Sequence, residues 1–242
     1  MSETHDPIDV DADATWPDPT RRWAEEQARR LEGSTEFLTD LDITLEQEDV
    51  FRRTFAARKL FAYHCTRLLG HESDDIRTGG LRLLDESLVL DRIAAAVAHA
   101  QLPDAARSHA ERCNVYAIRN ETGRAGQISF IVGRTVFDDD ADGCDSLLRY
   151  WGGESIRGGP AEAPAFETIG TPSIVVARLN LTRRHNDPYS YPPLAKLFVG
   201  TLLRLERRFA ELHYPDPVSG TEIDDIWQPG DPDYDCHQQL PR

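Results

Sequence analysis

Residues Leu60–Leu84 read "LFAYHCTRLLGHESDDIRTGGLRLL", and the fold turns on how this stretch divides. The first ten residues carry the apolar and aromatic side chains of a strand. The middle, acidic at its front and closed by Gly79 and Gly80, predicts a short helix with a glycine stop. "LRLL" predicts a second short strand. An imidazole, His64, stands at the centre of the first strand beside Cys65. Side-chain alternation puts Ala62 and His64 on one face, Phe61 and Tyr63 on the other. The plain reading of His64 is a core histidine bonded to a neighbour; the other is a strand whose end opens on a ligand.

Toward the N-terminus, residues 1–18 are rich in Asp, Thr and Pro and predict a disordered acidic arm. Two helices are expected next. "PTRRWAEEQARRLEG" has Ala24, Ala28 and Leu31 on one stripe and Gly33 as its stop, and "LEQEDVFRRTFAARK" has Val50, Phe51 and Phe55 on one face. Toward the C-terminus, residues 86–101 form an amphipathic helix through Leu90, Ile93, Ala94 and Val97, and helix resumes after Pro103. "GQISFIVG" is a strand bounded by Gly126 and Gly133. "FDDDADGCD" reads as an acidic loop. "PSIVVARLNL" is a nearly continuous β-branched run, as in a central strand covered on both faces. "PPLAKLFVGTLLRLERRFAELH" predicts one long helix, with Leu194, Leu197, Phe198, Leu202, Leu205 and Phe209 at helical spacing.

Helices precede most strands, without βαβα alternation. The fold class is therefore α+β: a central, mostly antiparallel sheet with room for a split, and N-terminal, inserted and C-terminal helices. A single domain is expected over 19–213. The Pro- and Asp-rich tail, 214–242, packs on it through Ile223, Ile226 and Trp227.

Composition narrows the function. With 242 residues, 40% hydrophobic and 29% charged, the chain has the make-up of a globular domain with a sizeable core. It has no run of about 18 apolar residues, and its acidic start lacks the basic-then-apolar order of a secretory signal; the expected location is the cytoplasm. Cysteines 65, 113, 144 and 236 form no CxxC pair, so neither a disulfide framework nor a zinc site is expected. A net charge of −15 disfavours general binding to nucleic acid or to anionic membranes.

Few motifs survive inspection. Asp138, Asp140, Asp142 and Gly143 open like a calcium loop, but its twelfth position, a bidentate carboxylate in that motif, is Arg149. His71, Glu72, Asp74 and Asp75 lack a completing metal-ligand spacing and suit a helix N-terminus. No P-loop, GxGxxG after a strand, or GxSxG elbow occurs. Glu154 stands out: "RYWGGESIRGG" surrounds one carboxylate with four glycines, Tyr150 and Trp151. A carboxylate beside Trp151 is costly unless it meets a hydroxyl or a cation; the plain reading is an exposed Glu in a turn.

Together, "YHCTR" with its following helix and "GGLRLL", "GQISFIVGR", and "WGGESI" leading to "PSIVVARLNL" resemble the motifs of ADP-ribosyltransferases of the diphtheria-toxin and poly(ADP-ribose) polymerase type, over about residues 58–182. The resemblance implies NAD as substrate and no metal. It makes His64 a partner of ribose hydroxyls, the Cys65 backbone a holder of the nicotinamide carboxamide (the family has glycine there), and Thr66 a support for the adenosine ribose. Glu154, opening a strand, would bind the nicotinamide-ribose 2′-hydroxyl, stabilise the oxocarbenium-like state and orient the acceptor. Phe130, Tyr150 or Trp151 would stack on nicotinamide, and Arg119 and Arg124 would meet the pyrophosphate. The implied activity is ADP-ribosyl transfer or NAD glycohydrolysis, of toxin or defence type as in bacteria, the acceptor being a macromolecule or water. Two other classes stay open: a non-catalytic binding or immunity-type protein on the same scaffold, docking a protein partner through its acidic arm and tail, and a metal-dependent hydrolase using His64 and His71.

Overall fold

The computed structural model describes residues 6–33, 36–55, 58–118, 124–157, 164–181, 189–207 and 210–242, with only the backbone at Ala105, Glu154, Arg157, Pro164, Ala165 and Tyr189. The chain runs through α1 (Asp18–Leu31), α2 (Leu45–Arg52), β1 (Lys59–Leu68), α3 (Gly70–Gly79), α4 (Glu86–Ala98), α5 (Asp104–Cys113) and β2 (Ile128–Ile131). There follow α6 (Val136–Asp139), α7 (Ala141–Leu148), α8 (Gly153–Arg157), α9 (Pro164–Glu167), β3 (Thr171–Asn180), β4 (Tyr189–Tyr191), α10 (Leu194–Leu203), β5 (Glu211–Tyr214), β6 (Ile223–Trp227) and α11 (Pro232–Asp235). The strands form one sheet in the order β4-β5-β2-β1-β3-β6, every neighbouring pair antiparallel. The fold is α+β, as its sequence pattern predicts. Among the described residues no helix is long and apolar enough to cross a membrane.

β1 has two unlike edges. On one, ten consecutive register pairs, from Lys59↔Asn180 to Leu68↔Thr171, bind it to β3. Ile174 to Ala177 are buried without interruption, as a strand covered on both faces must be. On the other edge β2 pairs with β1 at a single position, Tyr63↔Ile131. Before it, Ile8 fills the edge: its N–H donates to Lys59 O (2.8 Å) and its carbonyl accepts from Phe61 N–H (2.9 Å). Beyond it, the sheet parts.

The apolar interior has two portions. The larger gathers the sheet with α1, α2 and α10, where Trp16, Phe51, Phe55 and Phe198 meet at tilted or edge-on angles. The smaller joins α4 and α5 to the Trp151–Ile169 region through Val89, Ile93, Trp151, Ile156 and Phe166. Carboxylates set the starts of two helices. Asp85 accepts from Leu88 N–H (2.6 Å) at α4, and Glu48 of α2 accepts from Ala195 N–H (2.8 Å) at α10.

Several expectations are corrected. The N-terminal arm is not disordered over its described part: Ile8, Val10 and Trp16 are buried, and Asp11 accepts from Arg134 and Thr135 N–H and pairs with buried Arg207. Three apolar side chains in an acidic stretch suffice to anchor it because partners from elsewhere satisfy its charges. The acidic loop is helical, since its aspartates act as caps and partners: Asp140 accepts from Gly143 N–H, and Asp138 pairs with His237. "LRLL" makes only a bridge, Leu81↔Val218; Gly80 before it has φ 87°, and a Cβ there would lie 1.9 Å from Val218 O. The long C-terminal helix stops at Leu203, because Arg204 turns left-handed (φ 55°) and Leu205 N–H closes on Gly200 O. Its last predicted turn is instead strand β5. In the C-terminal tail Trp227, Tyr234 and Leu240 are buried, and β6 joins the sheet as its edge strand beside β3.

Candidate functional site

Where β1 and β2 part lies a cavity of about 400 Å³, walled by both strands, by α3 and α4, and by the Gly152–Ile156 turn. Of the residues singled out in the sequence, His64, Cys65, Thr66, Phe130 and Arg124 line it.

His64 reaches across the parted seam. Its Nδ1 lies 2.9 Å from the main-chain carbonyl of Ser129 on β2. A carbonyl only accepts, so Nδ1 carries the proton and Nε2 of the neutral ring is an acceptor. Burial, above all, pushes the His64 pKa below its usual 6.5; the Ser129 bond opposes this and the charge of Arg92 reinforces it. The imidazole is thus neutral near pH 7. The ring of Phe130 meets it edge-on at 5.9 Å.

The backbone of β1 contributes too. The N–H of Phe61 and the C=O of Lys59 face the edge that Ile8 occupies. Alternation along a strand turns the N–H and C=O of Cys65 to the same edge, where β2 no longer pairs. The Cys65 thiol is pushed well above its ordinary pKa by burial, which keeps it protonated and unreactive.

The cavity roof is held by Glu72, whose side chain is 9% exposed. One oxygen accepts from Leu69 N–H (2.8 Å) and Trp151 Nε1–H (2.9 Å), the other from Arg92 Nε–H (2.6 Å). Burial raises its pKa, but the Arg92 charge and these three bonds outweigh burial and hold it below 4.5. Arg92, in the cavity wall, has a buried Nη2 without a hydrogen-bond partner among the described residues. A buried guanidinium N–H left unpaired is costly unless a ligand accepts from it.

Two expected residues are placed otherwise. Trp151 is fully buried, donates to Glu72 and lies under the Arg92 guanidinium, 5.4 Å from ring centroid to Cζ; it does not line the cavity. An indole packed in the smaller core has no free face to stack on a ligand. Tyr150 is half-buried against that same core, also away from the cavity. Arg119 lies outside the described residues, as does the Glu154 side chain. The Glu154 backbone belongs to α8 and does not open a strand: Gly152, at φ 78°, reverses the chain into a helical turn, and a Cβ there would strike Ile156.

Sequence reasoning missed the carboxylate at the seam. Glu211, the first residue of β5, lines the cavity and stands in register with Ile131, which pairs with Tyr63. Arg124 Nη2 is 4.0 Å from one of its oxygens, and His213 Nε2 is 3.5 Å from the other. The signal was the alternation "ELHY", with Leu212 and Tyr214 buried between half-buried Glu211 and His213, masked by the preceding helical run. The other carboxylates of the wall are Glu72, engaged as above, Asp91, paired with Arg82 at 2.9 Å, and Asp75 on the exposed side of α3. Among the described residues no three His, Cys, Asp or Glu side chains gather as metal ligands.

No family model, curated protein or solved structure matches this chain.

Proposed function

We propose that the protein is an NAD-dependent ADP-ribosyltransferase-like enzyme or NAD glycohydrolase, acting in the cytoplasm and cleaving the bond between nicotinamide and ribose. One observation supports this above the rest: a neutral imidazole, His64, and a carboxylate, Glu211, line one cavity where two strands part. His64 Nε2 accepts from a ribose hydroxyl. The edge groups of Cys65 suit a carboxamide, which needs one donor and one acceptor, and Thr66 adds a hydroxyl in the same wall. Arg92 and Arg124 suit the pyrophosphate, because guanidinium forks match phosphate oxygens. Phe130 offers an apolar wall beside His64.

In the reaction, nicotinamide leaves with the electron pair of the glycosidic bond and ribose C1′ becomes oxocarbenium-like. A carboxylate held near that centre lowers the barrier by opposing the developing positive charge. Glu211 takes that role among the described side chains, and Glu154 is the carboxylate that the sequence pattern indicates. ADP-ribose then passes to water or to a macromolecular acceptor, as in toxin- or defence-type enzymes.

The test is nicotinamide release from NAD, followed chromatographically. Wild-type protein releases it, and Glu211→Gln loses on the order of 100-fold in kcat while its melting temperature is retained. If Glu154→Gln abolishes release and Glu211→Gln does not, the carboxylate role belongs to Glu154. Wild-type protein that neither binds nor cleaves NAD refutes the reading.

A further inference from the structure

Ser129 joins the two sides of this site. Its main-chain carbonyl accepts from His64, and its Oγ lies 3.2 Å from His213 Nδ1. The other ring nitrogen of His213, Nε2, is 3.5 Å from Glu211 Oε2. The β5 register produces this row: Glu211 and His213 are two residues apart on one face, and Ser129 is the cross-strand partner of His213. Acceptor chemistry orders the protons. A carboxylate only accepts, so Nε2 carries the hydrogen, and Nδ1 of the neutral ring receives the Ser129 hydroxyl hydrogen. Burial, above all, keeps the ring neutral by lowering its pKa below 6.5; Glu211 opposes this and Arg124 assists.

The two oxygens of Glu211 thus have separate neighbours, Arg124 at Oε1 (4.0 Å) and His213 at Oε2 (3.5 Å), which favour one orientation of the carboxylate. His213 itself is absent from the cavity wall, so it has no route to the substrate except through Glu211.

We propose that His213, itself held by the Ser129 hydroxyl, is the positioning residue of this site: it holds Glu211 in the orientation that faces the ribose. The inference rests on the reading of Glu211 as the reacting carboxylate. A carboxylate free to rotate about its side-chain torsions loses the alignment on which electrostatic stabilisation depends.

The experiment uses the full-length protein and steady-state nicotinamide release from NAD. His213→Ala lowers kcat by about 10- to 100-fold, with KM for NAD within about twofold of wild type because the ring does not touch the substrate. His213→Gln, which returns an N–H within reach of Glu211, recovers most of the loss. Ser129→Ala, which keeps the imidazole and removes only its hydroxyl donor, gives a smaller fall in kcat and decides the matter should His213→Ala fail to fold. The ¹⁵N shifts of the His213 ring in wild-type protein report an Nε2-protonated tautomer. Wild-type kcat in His213→Ala, a defect confined to KM, no recovery in His213→Gln, or an Nδ1-protonated ring each overturns the inference. An inactive Glu211→Gln beside a fully active His213→Ala removes the inference and leaves the functional reading standing. A fully active Glu211→Gln removes the reading of Glu211, and the inference falls with it.

Discussion

The two edges of β1 do opposite work. Against β3, every residue from Lys59 to Leu68 has a partner, and no ligand-sized space exists between the strands. Against β2, one pair holds at Tyr63↔Ile131, Ile8 closes one side, and the imidazole of His64 spans the other. A closed ladder satisfies every backbone group internally and yields stability. A parted one leaves donors and acceptors of a rigid strand facing a cavity, where a ligand completes them. The same ten residues therefore anchor the fold on one side and present the candidate chemistry on the other, which holds the site on a rigid element.

That contrast is open to measurement. The largest effect is expected on the closed edge: Leu179→Ala, at a buried position opposite Leu60, destabilises by about 3 kcal/mol in chemical denaturation. It leaves kcat per folded molecule unchanged; a kcat that falls in proportion to stability breaks the division between edges. On the open edge the ordering reverses. His64→Ala raises KM for NAD by about tenfold, the worth of one hydrogen bond of about 1.4 kcal/mol, with a small change in melting temperature. An unaltered KM removes His64 from the substrate site. The smallest effect is a pH slope. The folded-state pKa of His64 is depressed, chiefly by burial, so its contribution to stability is complete above 6.5 and is lost as pH falls from that value through the folded one. The unfolded chain takes up that proton first. Melting temperature should drop more steeply below pH 6.5 in wild type than in His64→Gln; equal slopes would count against a neutral imidazole at the seam.

Much of this was legible along the chain. "LFAYHCTRLL" and "PSIVVARLNL" are strands because aromatic and β-branched side chains crowd them, and His64, Cys65, Thr66, Phe130 and Arg124 line one cavity. Trp151 was misplaced since a large aromatic beside two glycines looks the same whether it faces a ligand or, as here, donates to a buried Glu72. Glu211 and His213 were hidden for a different reason. β5 is four residues long, too short for alternation to stand out against a ten-residue helix whose apolar spacing runs on through Leu205 toward it. The helix ends at Arg204, a left-handed arginine where glycine is the usual signal, so no local residue type announced the stop. Ile8, Val10 and Trp16 went unread because three apolar residues in an acidic stretch become an anchor only when a strand edge is waiting for them.

By itself the sequence determined that "LFAYHCTRLL", "GQISFIVG" and "PSIVVARLNL" hold strands, where the strongly periodic helices lie, and that a histidine stands at the centre of a strand. These follow from side-chain shape and from periodicities of 2 and 3.6, which neighbouring residues enforce. Only the tertiary structure decided which edge of β1 closes and which parts, and that Ser129, His213 and Glu211 meet there. Edge pairing depends on backbone groups that are alike in every residue, so which partner arrives at an edge is settled by segments far away along the chain.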